Sequence, residues 1–215
     1  MTYPKAHAGV KKVFISELFQ IIGGVLAVLA ATFALINLGP FAVAGGTIAL
    51  VAVGLEIAAF ILEMVGLWQA GKDADQFMIA FWIIIISIAL NVSVVLVNQF
   101  APSVPLVSSL LTALSNASSV IVTIYIIFGI VELSDKLHEP RMETKGRRLA
   151  YMVALLYVVS ILLSIIPSFF KIKGELPQPL VITFGIFGLI SAVMEVVTYV
   201  LIFFYLLSAV RMLRK

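Results

Sequence analysis

The chain has 215 residues, 62% of them hydrophobic and 12% charged, with a mean hydropathy of +1.18. That balance leaves too few polar side chains to cover a water-soluble globule. The net charge of +3 is no nucleic-acid signal, because the basic residues sit in short clusters between apolar runs. With no cysteine, disulfides, thiolate metal sites and thiol nucleophiles are excluded.

Six apolar runs are long enough to cross a bilayer, which takes about 20 helical residues each. They are Val13–Asn37, Gly46–Ala70, Phe77–Asn98, Leu106–Leu133, Leu149–Ile166 and Val181–Val210. The runs are solid rather than alternating, which predicts helices instead of barrel strands. The expected fold is therefore all-α, a single transmembrane domain over residues 1–215, with six helices arranged as three hairpins.

The first run follows MTYPKAHAGVKK and superficially resembles a signal peptide. Glu17 and Gln20 interrupt the would-be apolar core, and the run continues to a spanning length, so it reads as a retained first helix. Gly23, Ala27 and Ala31 recur every four residues and predict a packing face. Glu17 follows Lys12 closely and is expected at the inner interface.

The second run carries Glu56 and Glu63. Seven residues is close to two helical turns, so both acids point to one side. An ionisable group in hydrocarbon costs several kcal/mol, so that side is expected to face other helices or water. No Lys, Arg or His lies at comparable depth to pair with them, and a carboxyl so placed is more stable protonated. Glu63, nearer the inner face, also fits an acid looking into an inner vestibule.

The third run contains Asn91 and ends at Asn98-Gln99-Phe100-Ala101-Pro102-Ser103-Val104-Pro105, whose two prolines and polar cluster predict a turn. The fourth contains Asn116, together with Ser115, Ser119 and Thr123 at steps of four, which predicts one hydroxyl stripe along a helix. Such a stripe lines a polar path or, in the simpler reading, a close helix contact. The segment Ser134 to Arg148 is a charged, solvated loop. The sixth run brings Glu195 and Thr198. Trp68, Trp82, Tyr125, Tyr151 and Tyr157 are expected as interfacial anchors.

Basic residues set the orientation. Twelve of the 14 Lys and Arg flank one side of the runs, while only Lys171 and Lys173 flank the other. Positive flanks stay cytoplasmic, so both termini are expected inside. The even-numbered runs also share a pattern: Glu56 precedes Lys72, and Glu195 precedes Arg211, by the same 16 residues. At 1.5 Å per residue both acids then lie about 24 Å from the inner flank. Two-helix repeats would produce that correspondence.

The inner-side stretches GLWQAGKDADQF and GIVELSDKLHEPRMETKGRRLAY resemble those of six-helix prokaryotic integral membrane proteins that have no assigned activity. The resemblance covers most of the chain, rests on turn and charge placement, and implies a topology in the cytoplasmic membrane but no function.

No Walker loop, dinucleotide fingerprint, nucleophile elbow or helical zinc motif occurs. The chain is expected not to be an enzyme, and neither a cofactor nor a metal is implied. The expected partners are the lipid bilayer and other copies of the chain in an oligomer, not nucleic acid. The expected function is that of a small transporter or oligomeric channel for a cation or small polar solute. Glu56, Glu195, Glu63, Ser115, Asn116, Ser119, Thr123, Thr198 and Asn91 form its expected polar centre. Ionisable Glu would exchange a proton for the cation. The competing expectation is a non-transporting scaffold, or the substrate-capture subunit of a larger transporter, whose acids serve only as interhelical hydrogen bonds.

Overall fold

The computed structural model describes residues 3–36, 39–100, 105–171 and 178–214, with side chains described for 3–34, 43–100, 111, 114–159, 193, 194 and 196–214. Six helices occupy these residues: α1 (Pro4–Ile36), α2 (Gly39–Ala70), α3 (Asp75–Phe100), α4 (Pro105–Lys136), α5 (Pro140–Lys171) and α6 (Gln178–Leu213). No strand occurs among the described residues. Five stretches are long and apolar enough to cross a membrane: Pro4–Ala34, Val43–Ala70, Asp75–Phe100, Leu114–Lys136 and Val196–Leu213. The expected fifth run, Leu149–Ile166, extends beyond the residues whose side chains are described.

The helices start earlier than hydropathy suggests, and proline is one reason. Pro4, Pro105 and Pro140 each open a helix, where the missing N–H is not needed and φ is already helical. The backbone N–H of His7 donates to the Tyr3 carbonyl at 3.0 Å, so the basic N-terminal segment is helix rather than tail. Likewise α5 begins inside the expected charged loop and continues past Pro167 to Lys171.

The surface is lipid-like. Leu50 is 75% exposed, Val43 73% and Val28 68%, an apolar coat that water would not tolerate over such an extent. Hydroxyls on exposed helix faces are satisfied within their own helix: Thr32, Thr47 and Ser93 donate to the carbonyls of Val28, Val43 and Ala89, four residues back. A hydroxyl bonded this way adds little unsatisfied polarity to a lipid-facing surface.

The chain divides into two compact units, Met1–Phe81 with Leu206–Lys215, and Trp82–Tyr205. In the first, α1 and α2 pack antiparallel. Gly9 meets Gly66 and Ala70, Gly23 meets Ala52 and Leu55, and Gly45 meets Ala30 and Phe33. The buried small residues fall every seventh position on both helices: Gly9, Ser16, Gly23 and Ala30 on α1, and Gly45, Ala52, Ala59 and Gly66 on α2. A seven-residue repeat keeps one seam facing its partner as the helices supercoil. Small side chains on that seam let the backbones approach, and dispersion then holds the pair where lipid supplies no hydrophobic drive. The Gly23–Ala27–Ala31 packing face expected from steps of four is therefore corrected. Gly23 is buried, but Ala27 and Ala31 are exposed and Ala30 takes the inward position.

In the second unit α4 packs on α5. The turn between them closes α4 with a backbone pattern in which the Glu139 N–H donates to the Ser134 carbonyl at 2.9 Å and the His138 N–H to Asp135 at 3.0 Å. His138 takes the left-handed conformation this requires, with φ of 55°. Close by, Gly146 of α5 packs against Tyr205 of α6, whose hydroxyl donates to the Met142 carbonyl at 3.4 Å.

Candidate functional site

The second unit contains a chamber of about 270 Å³ between α4, α5 and α6. Ser119, Val120 and Thr123 of α4 form one wall, and Val153, Leu156 and Tyr157 of α5 form the next. Thr198, Tyr199 and Ile202 of α6 close it. Each set spans three or four residues, a single helical turn, so each helix offers one face and the chamber sits where three faces meet. Most of the lining is aliphatic, and five of the nine lining residues carry a hydroxyl.

Those hydroxyls differ in what they have left to offer. Thr123 donates to the Ser119 carbonyl at 3.2 Å, and Ser119 donates to the Ser115 carbonyl at 3.4 Å. Their protons are committed to the helix, and their lone pairs are not. Thr198 differs: it is only 6% exposed, and its hydroxyl oxygen has no hydrogen-bond partner among the described residues. A buried hydroxyl left unpaired costs about 1–3 kcal/mol. A threonine in a helix has an inexpensive alternative, the carbonyl four residues back, and Thr198 does not use it.

The expected polar centre is thus gathered only in part. Ser119, Thr123 and Thr198 line the chamber together. Ser115 is buried and donates instead to Asn91 Oδ1 of α3 at 2.8 Å, which ties α3 to α4. Asn116 is exposed and is not a chamber-lining residue. Glu195 lies on α6, with its side chain outside the described residues. Glu56 and Glu63 belong to the first unit.

In that first unit the two acids do share one side of α2, the side that meets α1. Glu63 accepts a hydrogen bond from Gln20 Nε2 at 3.5 Å. Glu56 is exposed, with its Cγ against the α1 backbone at Gly23. Towards the N-terminal end of α1 the same seam continues as a polar ladder. Lys12 Nζ donates to Gln69 Oε1 at 2.6 Å, and the Ala6 N–H donates to Asp73 Oδ2 at 2.7 Å. Asp73 thereby caps the first turn of α1 from the far end of α2, placing a carboxylate where free N–H groups and the helix dipole favour one. Lys72 lies 5.7 Å from the Trp68 ring centre, and Trp68 meets Phe81 edge-on at 5.5 Å.

Tyr157 is a further correction: expected as an interfacial anchor, it forms part of the chamber wall. Val153 and Tyr199 were not singled out by sequence reasoning. The signal available for them was the shared spacing on three helices, which marks lining faces only once the helices are known to meet. Among the described residues no group of three or more His, Asp or Glu is placed to hold a metal ion.

Comparison with known proteins adds no identity. No family model, no curated protein and no solved structure matches the chain.

Proposed function

We propose that this is a multi-pass protein of a prokaryotic cytoplasmic membrane, with both termini inside, that binds a small uncharged solute in the chamber of its second unit and passes it across the bilayer. The observation that carries this reading is the unpaired hydroxyl of Thr198 in the chamber wall. A native fold leaves such a group unsatisfied where something else completes it. No charged side chain is found among the described lining residues. Neutral hydrogen-bonding solutes fit that lining better than the cations expected from the acids alone. The three-hairpin arrangement and the basic inner flank supply the topology.

Proteoliposome flux tests this directly. Stopped-flow light scattering should show 1,4-butanediol entering faster than in protein-free vesicles, with sodium and proton leakage unchanged. Val153→Phe, which fills the chamber, should abolish the gain. Entry at the protein-free rate for every solute tested would refute permeation.

A second reading is favoured by one contact. The hydrogen bond from Gln20 to Glu63 is what an acid serving only to join two helices would make, worth on the order of 1 kcal/mol. On that reading the first unit is a scaffold, and its acids titrate nothing of functional consequence.

A further inference from the structure

We infer that the chamber takes an amphiphilic alcohol: an uncharged molecule with an apolar body and one hydroxyl, the hydroxyl seated between Thr198 and the α4 oxygens. This rests on the chamber being the binding site, as proposed above, but not on the solute crossing the bilayer.

The polarity of each wall group leads to this class. Ser119 and Thr123 spend their protons on backbone carbonyls, so toward the chamber they act as acceptors. Thr198 has its proton uncommitted and acts there as a donor. A ligand that satisfies both walls must donate to α4 and accept from α6, and a hydroxyl does both through one atom. A ketone or ether only accepts. An ammonium only donates, and it would leave Thr198 with nothing to bond while burying a charge among aliphatic side chains. The rest of the wall, with Val120, Val153, Leu156 and Ile202, offers dispersion and nothing polar. That suits a hydrocarbon body.

Size narrows the class further. An apolar cavity of roughly 150 Å³ holds a benzene ring. The 270 Å³ here therefore accommodates a body of about two fused rings or a chain of similar bulk.

Three isosteric probes separate the chemistry: 2-naphthalenemethanol, 2-methylnaphthalene and 2-naphthylmethylammonium. Their binding is measured by equilibrium dialysis against the full chain in nanodiscs, with empty nanodiscs subtracting partition into lipid. The alcohol should bind saturably at one site per chain, about fivefold or more tighter than the hydrocarbon, the increment of one net hydrogen bond. The ammonium should show no saturable binding. Thr198→Val, nearly the same shape without the hydroxyl, should bring alcohol and hydrocarbon within twofold of each other while leaving hydrocarbon binding unchanged. Val153→Phe should remove both.

The inference is overturned if the alcohol shows no saturable component, if Thr198→Val keeps the alcohol preference, or if the ammonium binds more tightly than the alcohol. Flux keeps the two proposals apart. Saturable alcohol binding without solute flux in vesicles ends the transport reading and leaves the ligand class standing. Flux blocked by Val153→Phe, with the Thr198-dependent preference absent, does the reverse.

Discussion

A single methyl group added at Gly66 bears on how the first unit holds together. A Cβ there would lie 2.8 Å from the Gly9 carbonyl oxygen and 2.9 Å from Val13 Cγ2, where ordinary contact begins at 3.4 Å. Gly66→Ala therefore forces α1 and α2 apart by about half an ångström, and a gap of that size forfeits roughly a quarter of the dispersion well for each contact along the seam. The expected loss is about 1–3 kcal/mol, the usual range for overpacking. Gly54 lies on the same helix with nothing within 4 Å of its would-be Cβ. Gly54→Ala is thus the matched control, expected to be neutral or to gain up to about 1 kcal/mol from helix propensity. Reversible unfolding in mixed micelles measures both. The double variant Gly9→Ala/Gly66→Ala should lose less than the sum of the singles, because the second methyl enters a seam already opened. If Gly66→Ala proves as stable as Gly54→Ala, the heptad seam is not what holds the pair.

The helix ends give two more outcomes. Asp73→Ala removes the acceptor for the Ala6 N–H and should cost about 1 kcal/mol. It should also speed hydrogen exchange in the first turn of α1, whereas Asp73→Asn, which keeps an oxygen acceptor, should lose much less; equal exchange in both variants would contradict the cap. At His138, with φ of 55°, His138→Gly should raise the unfolding midpoint by an amount equivalent to roughly 0.5–1 kcal/mol, and the β-branched His138→Val should lower it. A midpoint that falls on His138→Gly would show that the side chain, not the backbone, decides this turn.

Much of the architecture is written in runs of hydropathy, because a bilayer permits few solutions. Apolar segments of spanning length must become helices, and the helices sit where the runs predict them. Their starts were less legible, since hydropathy says nothing of the charged first turns that Pro4 and Pro140 initiate. The shared side of Glu56 and Glu63 followed from spacing alone, and the structure turns both toward α1. The packing face did not follow, because steps of four and steps of seven both pass through Gly23. Only the partner helix, with Gly45, Ala52, Ala59 and Gly66 in the same register, distinguishes them. The chamber was half legible. Ser119, Thr123 and Thr198 were visible as hydroxyls at depth, but their sorting into committed and uncommitted protons depends on rotamers that no spacing encodes.

The chamber's contact with water is the claim on which the functional account turns, and the sequence's lack of cysteine makes it directly measurable. Thr198→Cys places a thiol in the chamber wall, and Val196→Cys places one two residues away on an exposed apolar face, where Val196 is 64% exposed. Only a thiolate reacts with methyl methanethiosulfonate, and thiolates form where water reaches. In proteoliposomes the account predicts that Thr198→Cys is modified at least tenfold faster than Val196→Cys, and that an added Val153→Phe abolishes the difference. Equal rates at the two positions, or modification of Val196→Cys alone, would contradict it.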